Sequence, residues 1–129
     1  MIYEFRIYKL QPGKLSAFKK RFSEISVRLF KKFGIRFCGF WEIAKLPEGV
    51  IPKTSKGGIV REAKGAQFGQ DEIAYLVAFD TIEQRDKAWL EWIDDKEWQR
   101  LKAETEAEGP LVLGESYFLL KPAEFSPIK

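Results

Sequence analysis

Apolar and polar positions alternate with a period of two along Ile2-Tyr3-Glu4-Phe5-Arg6-Ile7-Tyr8. Tyr3, Phe5 and Ile7 share one face, and Glu4, Arg6 and Tyr8 share the other. That period is a β-strand's, and its two faces look towards a core and a pocket. Pro12-Gly13 then marks a turn. Beyond it the period lengthens. Leu15, Phe18, Phe22, Ile25, Leu29 and Phe33 follow in steps of three and four, which predicts one face of a helix over 14–33. Gly34 stands where a C-terminal cap belongs. Lys19, Lys20, Arg21, Arg28, Lys31 and Lys32 fall on the opposite side and read as a solvated face.

A second strand is expected over Ile35–Ile43, with Phe37, Gly39 and Trp41 on one face and Cys38 and Phe40 on the other. Gly39 beside Trp41 is either open space next to a large ring or a bulge and close packing. Residues 45–71 hold five of the chain's ten glycines, a long connection of the kind that forms lids or arms. Gly57-Gly58-Ile59-Val60 within it fits a short hairpin arm. A third strand spans Glu72–Phe79, with Tyr75, Val77 and Phe79 opposite Ala74, Leu76 and Ala78. Thr81 and Gln84 have capping-box spacing and open a helix through Arg85, Ala88, Trp89 and Trp92. Asp94-Asp95 opens a shorter helix anchored by Trp98 and Leu101 and stopped at Gly109-Pro110. Leu111–Leu120 is the fourth strand.

Strand, helix, strand, strand, helix pair, strand is the split βαβ order: an α+β, ferredoxin-like fold with a four-stranded antiparallel sheet and helices on one face. The strand parity assigns Glu4, Arg6, Tyr8, Phe37, Gly39, Trp41, Tyr75, Val77 and Phe79 to the face without helices. So aromatic a face is not left in water. A second copy of the sheet would cover it, so a homodimer with facing sheets is expected, its polar members leaving a cavity inside.

Composition narrows the chemistry. The 129 residues are 45% hydrophobic and 15% aromatic, enough for one domain with a core, and the net charge of +3 is mild. Nucleic acid is not an expected partner. No apolar run is long enough for a bilayer, and the first strand leaves no room for a leader, so a cytoplasmic protein is expected, with no membrane partner. One cysteine, Cys38, excludes an internal disulfide and reads as a small buried hydrophobe. The chain has no histidine, which excludes histidine triads and protein-derived histidine ligation of haem. Neither metal nor cofactor is expected. An acid or base would be Glu, Asp, Tyr, Lys or Cys.

Several stretches also resemble the NIPSNAP family. They are Tyr3-Glu4-Phe5-Arg6-Ile7-Tyr8 with Pro12-Gly13-Lys14, Gly39-Phe40-Trp41, Thr81-Ile82-Glu83-Gln84-Arg85, Asp95-Lys96-Glu97-Trp98 and Phe125-Ser126-Pro127. The resemblance covers nearly the whole chain outside the glycine-rich insertion at 45–71. It implies a dimeric α/β barrel and little chemistry.

Arg6 is the first candidate for catalysis: a guanidinium in a strand-lined cavity clamps a carboxylate or enolate, or else it pairs with Glu4. Tyr8 offers a phenol to an oxyanion, and Glu4 is an orienter or base. Trp41, Tyr75, Phe79 and Gly39 are candidate ligand-binding residues, or alternatively core and interface packing. Arg85 and Trp89 are one helical turn apart, and Arg85 reads best as a cation over that ring or as a salt bridge tying helix to sheet. The functional expectation is a homodimer with a small-molecule cavity for an acidic or aromatic ligand. Such a protein is either a cofactor-independent enzyme for an activated carbonyl or phenolic compound, or a non-catalytic binding or interaction module.

Overall fold

A computed structural model describes residues 1–47 and 63–129. Four strands, β1 (Ile2–Leu10), β2 (Arg36–Glu42), β3 (Glu72–Phe79) and β4 (Val112–Leu120), form one antiparallel sheet in the order β2-β3-β1-β4. Helix α1 runs over 15–32, α2 is Ile82–Asp94 and α3 is Lys96–Thr105. The split βαβ expectation therefore holds in element order and pairing.

Local chemistry sets the helix ends. Gly34 adopts φ 72°, the left-handed turn that ends α1. Thr81 Oγ1 accepts from the Gln84 N–H at 3.0 Å. Gln84 Oε1 reaches back one residue further than a capping box requires, accepting from the Asp80 N–H at 2.6 Å. Its Nε2 donates to the Gly34 carbonyl at 3.3 Å, so one side chain joins the start of α2 to the end of α1. Asp95 caps α3, accepting from the Trp98 N–H at 2.9 Å.

Two irregularities redistribute the faces. Within α1, Phe22–Ser26 forms a π-helical turn between Leu15–Arg21 and Val27–Lys32. The extra residue per turn rotates the buried stripe, so Arg21, Ser26 and Phe30 are buried along with Phe18, Phe22 and Leu29. Arg21 therefore leaves the solvated face on which the sequence placed it. In β2 the register slips between Phe37 and Gly39. Phe37 and Phe40 then both meet the helices, with Phe22 ring centroids at 5.5 and 4.7 Å, while Gly39 and Trp41 turn away. Cys38 sits at this bulge and is exposed rather than buried.

The helices cover the opposite sheet face to the one expected. Ile73, Tyr75, Val77 and Phe79 of β3 pack with Phe18, Phe22, Leu29, Phe30, Ala88 and Trp92 in a single core. By register, Glu4, Arg6 and Tyr8 lie in that same layer. Of the nine residues placed on the helix-free face, only Gly39 and Trp41 are there. Size accounts for the reversal. The row with Tyr75, Val77 and Phe79 fills the gap beneath helices, whereas Ala74 and Ala78 on the other side leave a shallow surface. The open face instead carries Tyr3, Phe5 and Ile7 with Trp41, Leu76, Phe118 and Leu120. Phe118 and Trp41 are about half exposed, at 52% and 49%.

The 45–71 connection is closed at its base by an antiparallel bridge, Lys45 N–H to Gln67 O at 2.8 Å and Gln67 N–H to Lys45 O at 2.9 Å. The expected hairpin arm at Gly57-Gly58-Ile59-Val60 lies outside the described residues. Among the described residues, no helix is long and apolar enough to cross a membrane.

Candidate functional site

Alternate residues of β1 build the site, because every second side chain points under the helices. The register sets Arg6 between Tyr75 of β3 and Tyr117 of β4, and Tyr8 between Ile73 and Glu115. Glu4 is fully buried at 0% exposure. A carboxylate there needs partners on both oxygens. Arg6 Nη1 donates to Oε2 at 2.7 Å, and Arg85 Nε, from α2, donates to Oε1 at 2.6 Å. Both oxygens of Glu4 are held by guanidinium groups. Arg85 is thus the salt bridge between helix and sheet, and its Cζ lies 5.3 Å from the Tyr117 ring centre.

Arg6 is held flat. Its Cζ sits 4.8 Å from the Trp89 ring centre and 5.3 Å from that of Tyr117. Nη2 donates to Glu115 Oε2 at 3.3 Å. Its Nε is buried without a partner among the described residues, as is Trp89 Nε1. Burial pulls the Arg6 pKa down, but Tyr8, Tyr75 and Glu4 outweigh it and leave the pKa raised, so the cation is permanent.

The Tyr8 and Tyr75 hydroxyls are 2.8 Å apart. Burial raises the Tyr8 pKa, against the pull of the nearby Arg6 cation. Burial raises Tyr75 further, reinforced by Tyr8. Both are neutral phenols at pH 7. One donates to the other, which leaves one O–H free to donate outward.

Both tyrosines line a cavity of about 440 Å³ between the sheet and the helices, walled by Phe18, Phe22, Phe30, Trp89, Trp92 and Trp98. A second cleft of about 530 Å³ shares Tyr8, Trp89, Trp92 and Trp98 and adds Arg6, Arg85 and Tyr117. Pockets of a few hundred Å³ with apolar walls and a few converging polar groups are the form of small-molecule sites.

The structure brings together Glu4, Arg6, Tyr8 and Tyr75. Phe79 shares their face but is wholly buried against Trp89, with ring centroids 6.1 Å apart, and lines neither space. Gly39 and Trp41 stand on the other side of the sheet. A Cβ on Gly39 would meet Trp41 Cη2 at 2.6 Å, so the room beside the glycine is occupied by the tryptophan's own ring. Sequence reading missed Arg21, Ser26, Lys102, Glu106 and Glu115, which all line the cavity. Arg21 did carry a signal: it follows Phe18 by three residues, at the edge of the apolar stripe. Among the described residues no group of three or more His, Cys, Asp or Glu is placed to hold a metal ion.

The sheet order, the helices on one face and the hollow beneath them define a ferredoxin-like α+β fold with an internal space of small-molecule size. Solved NIPSNAP proteins share this build. A NIPSNAP family protein of unknown function from Agrobacterium tumefaciens superposes with a TM-score of 0.68 at 21% identity, over 100% of this chain and 94% of that one. An uncharacterised NIPSNAP-like domain protein from Burkholderia xenovorans gives 0.70 at 20% identity, over 98% of this chain and 88% of that one. A second Agrobacterium tumefaciens NIPSNAP family protein gives 0.69 at 16% identity, over 99% and 98%. The chain has a NIPSNAP-like fold. No protein-family model matches it, and no match is found among the curated proteins.

Proposed function

We propose that this chain is a homodimeric small-molecule-binding protein whose cavity under the helices takes a phenolic or activated-carbonyl compound. The observation that carries the reading is the buried Tyr8–Tyr75 hydroxyl pair opening onto an aromatic-walled space. A neutral phenol donor fixed in an aromatic-walled space stabilises negative charge developing on a bound oxygen better than freely hydrated donors do. Arg6, fixed by Glu4, supplies a permanent positive field beside it. If turnover occurs, these groups stabilise an enolate or phenolate without a cofactor.

The binding claim has a direct readout, because Trp89, Trp92 and Trp98 line the cavity. Neutral 4-hydroxyacetophenone is expected to quench tryptophan fluorescence saturably, and Tyr75→Phe to weaken its binding by about tenfold, the worth of one good hydrogen bond. Absence of saturable quenching, or an affinity unchanged from the unmodified protein in both Tyr75→Phe and Tyr8→Phe, refutes the reading.

The homodimer reading is supported by the open face. Its aromatic and aliphatic side chains form a continuous surface, and Trp41 closing over Gly39 makes that surface a packing face rather than a pocket. A stable interface buries about 800 Å² on each side, so the pairing has to engage most of the sheet face. A second copy offers an identical apolar face.

A further inference from the structure

We propose that the cavity has two poles and that its ligand is a single-ring aromatic carboxylic acid, with a phenol or carbonyl oxygen at Tyr8–Tyr75 and the carboxylate at Arg21. This rests on the small-molecule reading above and goes further by fixing ligand class and orientation. Arg21 is only 6% exposed. Its contacts run through one nitrogen: Nη1 reaches Thr105 Oγ1 and Glu106 Oε1, each at 3.4 Å. A guanidinium has five N–H donors. Among the described residues, Nε and Nη2 of Arg21 make no hydrogen bond, and the side chain lines the cavity. Neither nitrogen is sealed from solvent: both open towards the cavity as donors, where a bound carboxylate would replace water with charge-assisted hydrogen bonds. Glu106 only partly fills that role, since its Oε1 also accepts from the Leu111 N–H at 3.3 Å.

Charge assigns the orientation. Lys102 lines the cavity as well as the second cleft, so with Arg21 it sets two cations against the one carboxylate on Arg21, Glu106. At the tyrosine pole Glu4 and Glu115 offset the two guanidinium groups of Arg6 and Arg85. An added carboxylate is favoured at the Arg21 pole, and a neutral oxygen acceptor suits the phenols at the other. Phe18 touches both: its ring centroid is 5.8 Å from that of Tyr8 and 5.6 Å from Arg21 Cζ. Phe18 therefore borders both poles, and the flanking rings favour a flat ligand by stacking. The π-helical turn at Phe22–Ser26 begins directly after Arg21 and adds the buried Ser26 to the cavity wall. Such turns recur at functional sites.

The test titrates 4-hydroxyphenylacetate and its methyl ester at pH 7 by tryptophan fluorescence. The acid is expected to bind about tenfold tighter than the ester, the scale of a charge-assisted hydrogen-bonded pair. In Arg21→Gln the acid-to-ester preference should vanish while ester affinity is kept. In Arg6→Gln the preference should persist. Equal affinity of acid and ester in the unmodified protein overturns this inference and leaves the small-molecule reading standing. Failure of both ligands and of 4-hydroxyacetophenone overturns both. Loss of preference in Arg6→Gln but not in Arg21→Gln places the carboxylate at the wrong pole for the proposal and overturns it. If Arg21→Gln does not fold, exposed Lys102→Gln decides: it should cut the preference about threefold, as loss of a screened surface charge does, and an unchanged preference overturns the proposal.

Discussion

At the residue scale, Glu4 is the most consequential side chain in the layer beneath the helices. One carboxylate neutralises two guanidinium groups from different elements. Removing it leaves Arg6 only its longer contact with Glu115 and Arg85 only Asp86. Glu4→Ala is expected to cost about 3–5 kcal/mol in urea denaturation, the penalty of breaking a buried ion pair. Arg6→Ala should cost clearly less, because Arg85 remains on Glu4 at 2.6 Å. An equal or larger loss in Arg6→Ala would show that Arg85 does not hold the carboxylate. The phenols make a second residue-level prediction. Both titrate above the 10.0 of an unperturbed tyrosine, so the folded state favours their protonated forms. Their contribution to stability is complete below pH 10 and is lost as the pH rises through the folded values. The thermal midpoint should fall on the alkaline side of pH 10, and less steeply in Tyr75→Phe than in the unmodified protein. Identical alkaline profiles would contradict the coupling of this pair. The sequence made Glu4, Arg6, Tyr8 and Arg85 legible because their types and spacing demand polar partners. It left Arg21 hidden among the lysines of its helix.

At the element scale, strands and helices follow from period, and caps follow from residue type. Thr81 at the start of α2 and Gly34 after α1 stand where their chemistry puts them. Thr81→Ala should lower stability by about 1 kcal/mol through loss of the cap. Gly34→Ala should lower it by a similar amount, about 1 kcal/mol, from backbone strain alone. Its Cβ would meet nothing closer than Gln84 Nε2 at 3.7 Å. Chemical denaturation measures both, and an unchanged Gly34→Ala would contradict the left-handed cap. What period does not reveal is a single inserted residue. The slip between Phe37 and Gly39 and the π-helical turn at Phe22–Ser26 each add one residue to a repeat. In a strand that exchanges faces, and in a helix it rotates the buried stripe. Trp41 and Phe37 therefore part company, and Arg21 and Ser26 move inward. Which sheet face the helices choose was also illegible, since both faces of β3 are apolar and β1 turns its greasier face, Tyr3, Phe5 and Ile7, to the open side. Side-chain bulk on β3 decides it.

At the scale of the whole molecule, each sheet face has one role. The bulky face, with the buried ion pairs, packs under helices and is hollowed by the cavity. The shallow face is open, with Trp41, Phe118 and Leu120 each about half exposed. Light scattering at micromolar concentration is expected to give about twice the 15.0 kDa chain mass, because pairing would take these half-exposed apolar side chains out of water. Phe118→Lys should return the protein to a monomer with its helical circular dichroism intact. A monomeric unmodified protein would contradict the facing-sheet arrangement. The central claim is that the ligand sits on the helix side of the sheet, between Tyr8–Tyr75 and Arg21. A crystal structure of the protein soaked with 4-hydroxyphenylacetate tests it most directly. The account predicts density for one ring beside Phe18, its phenol oxygen at the tyrosine pair and its carboxylate at Arg21. Density between the open faces of two protomers, or a cavity closed by its own side chains with no ligand, would contradict it.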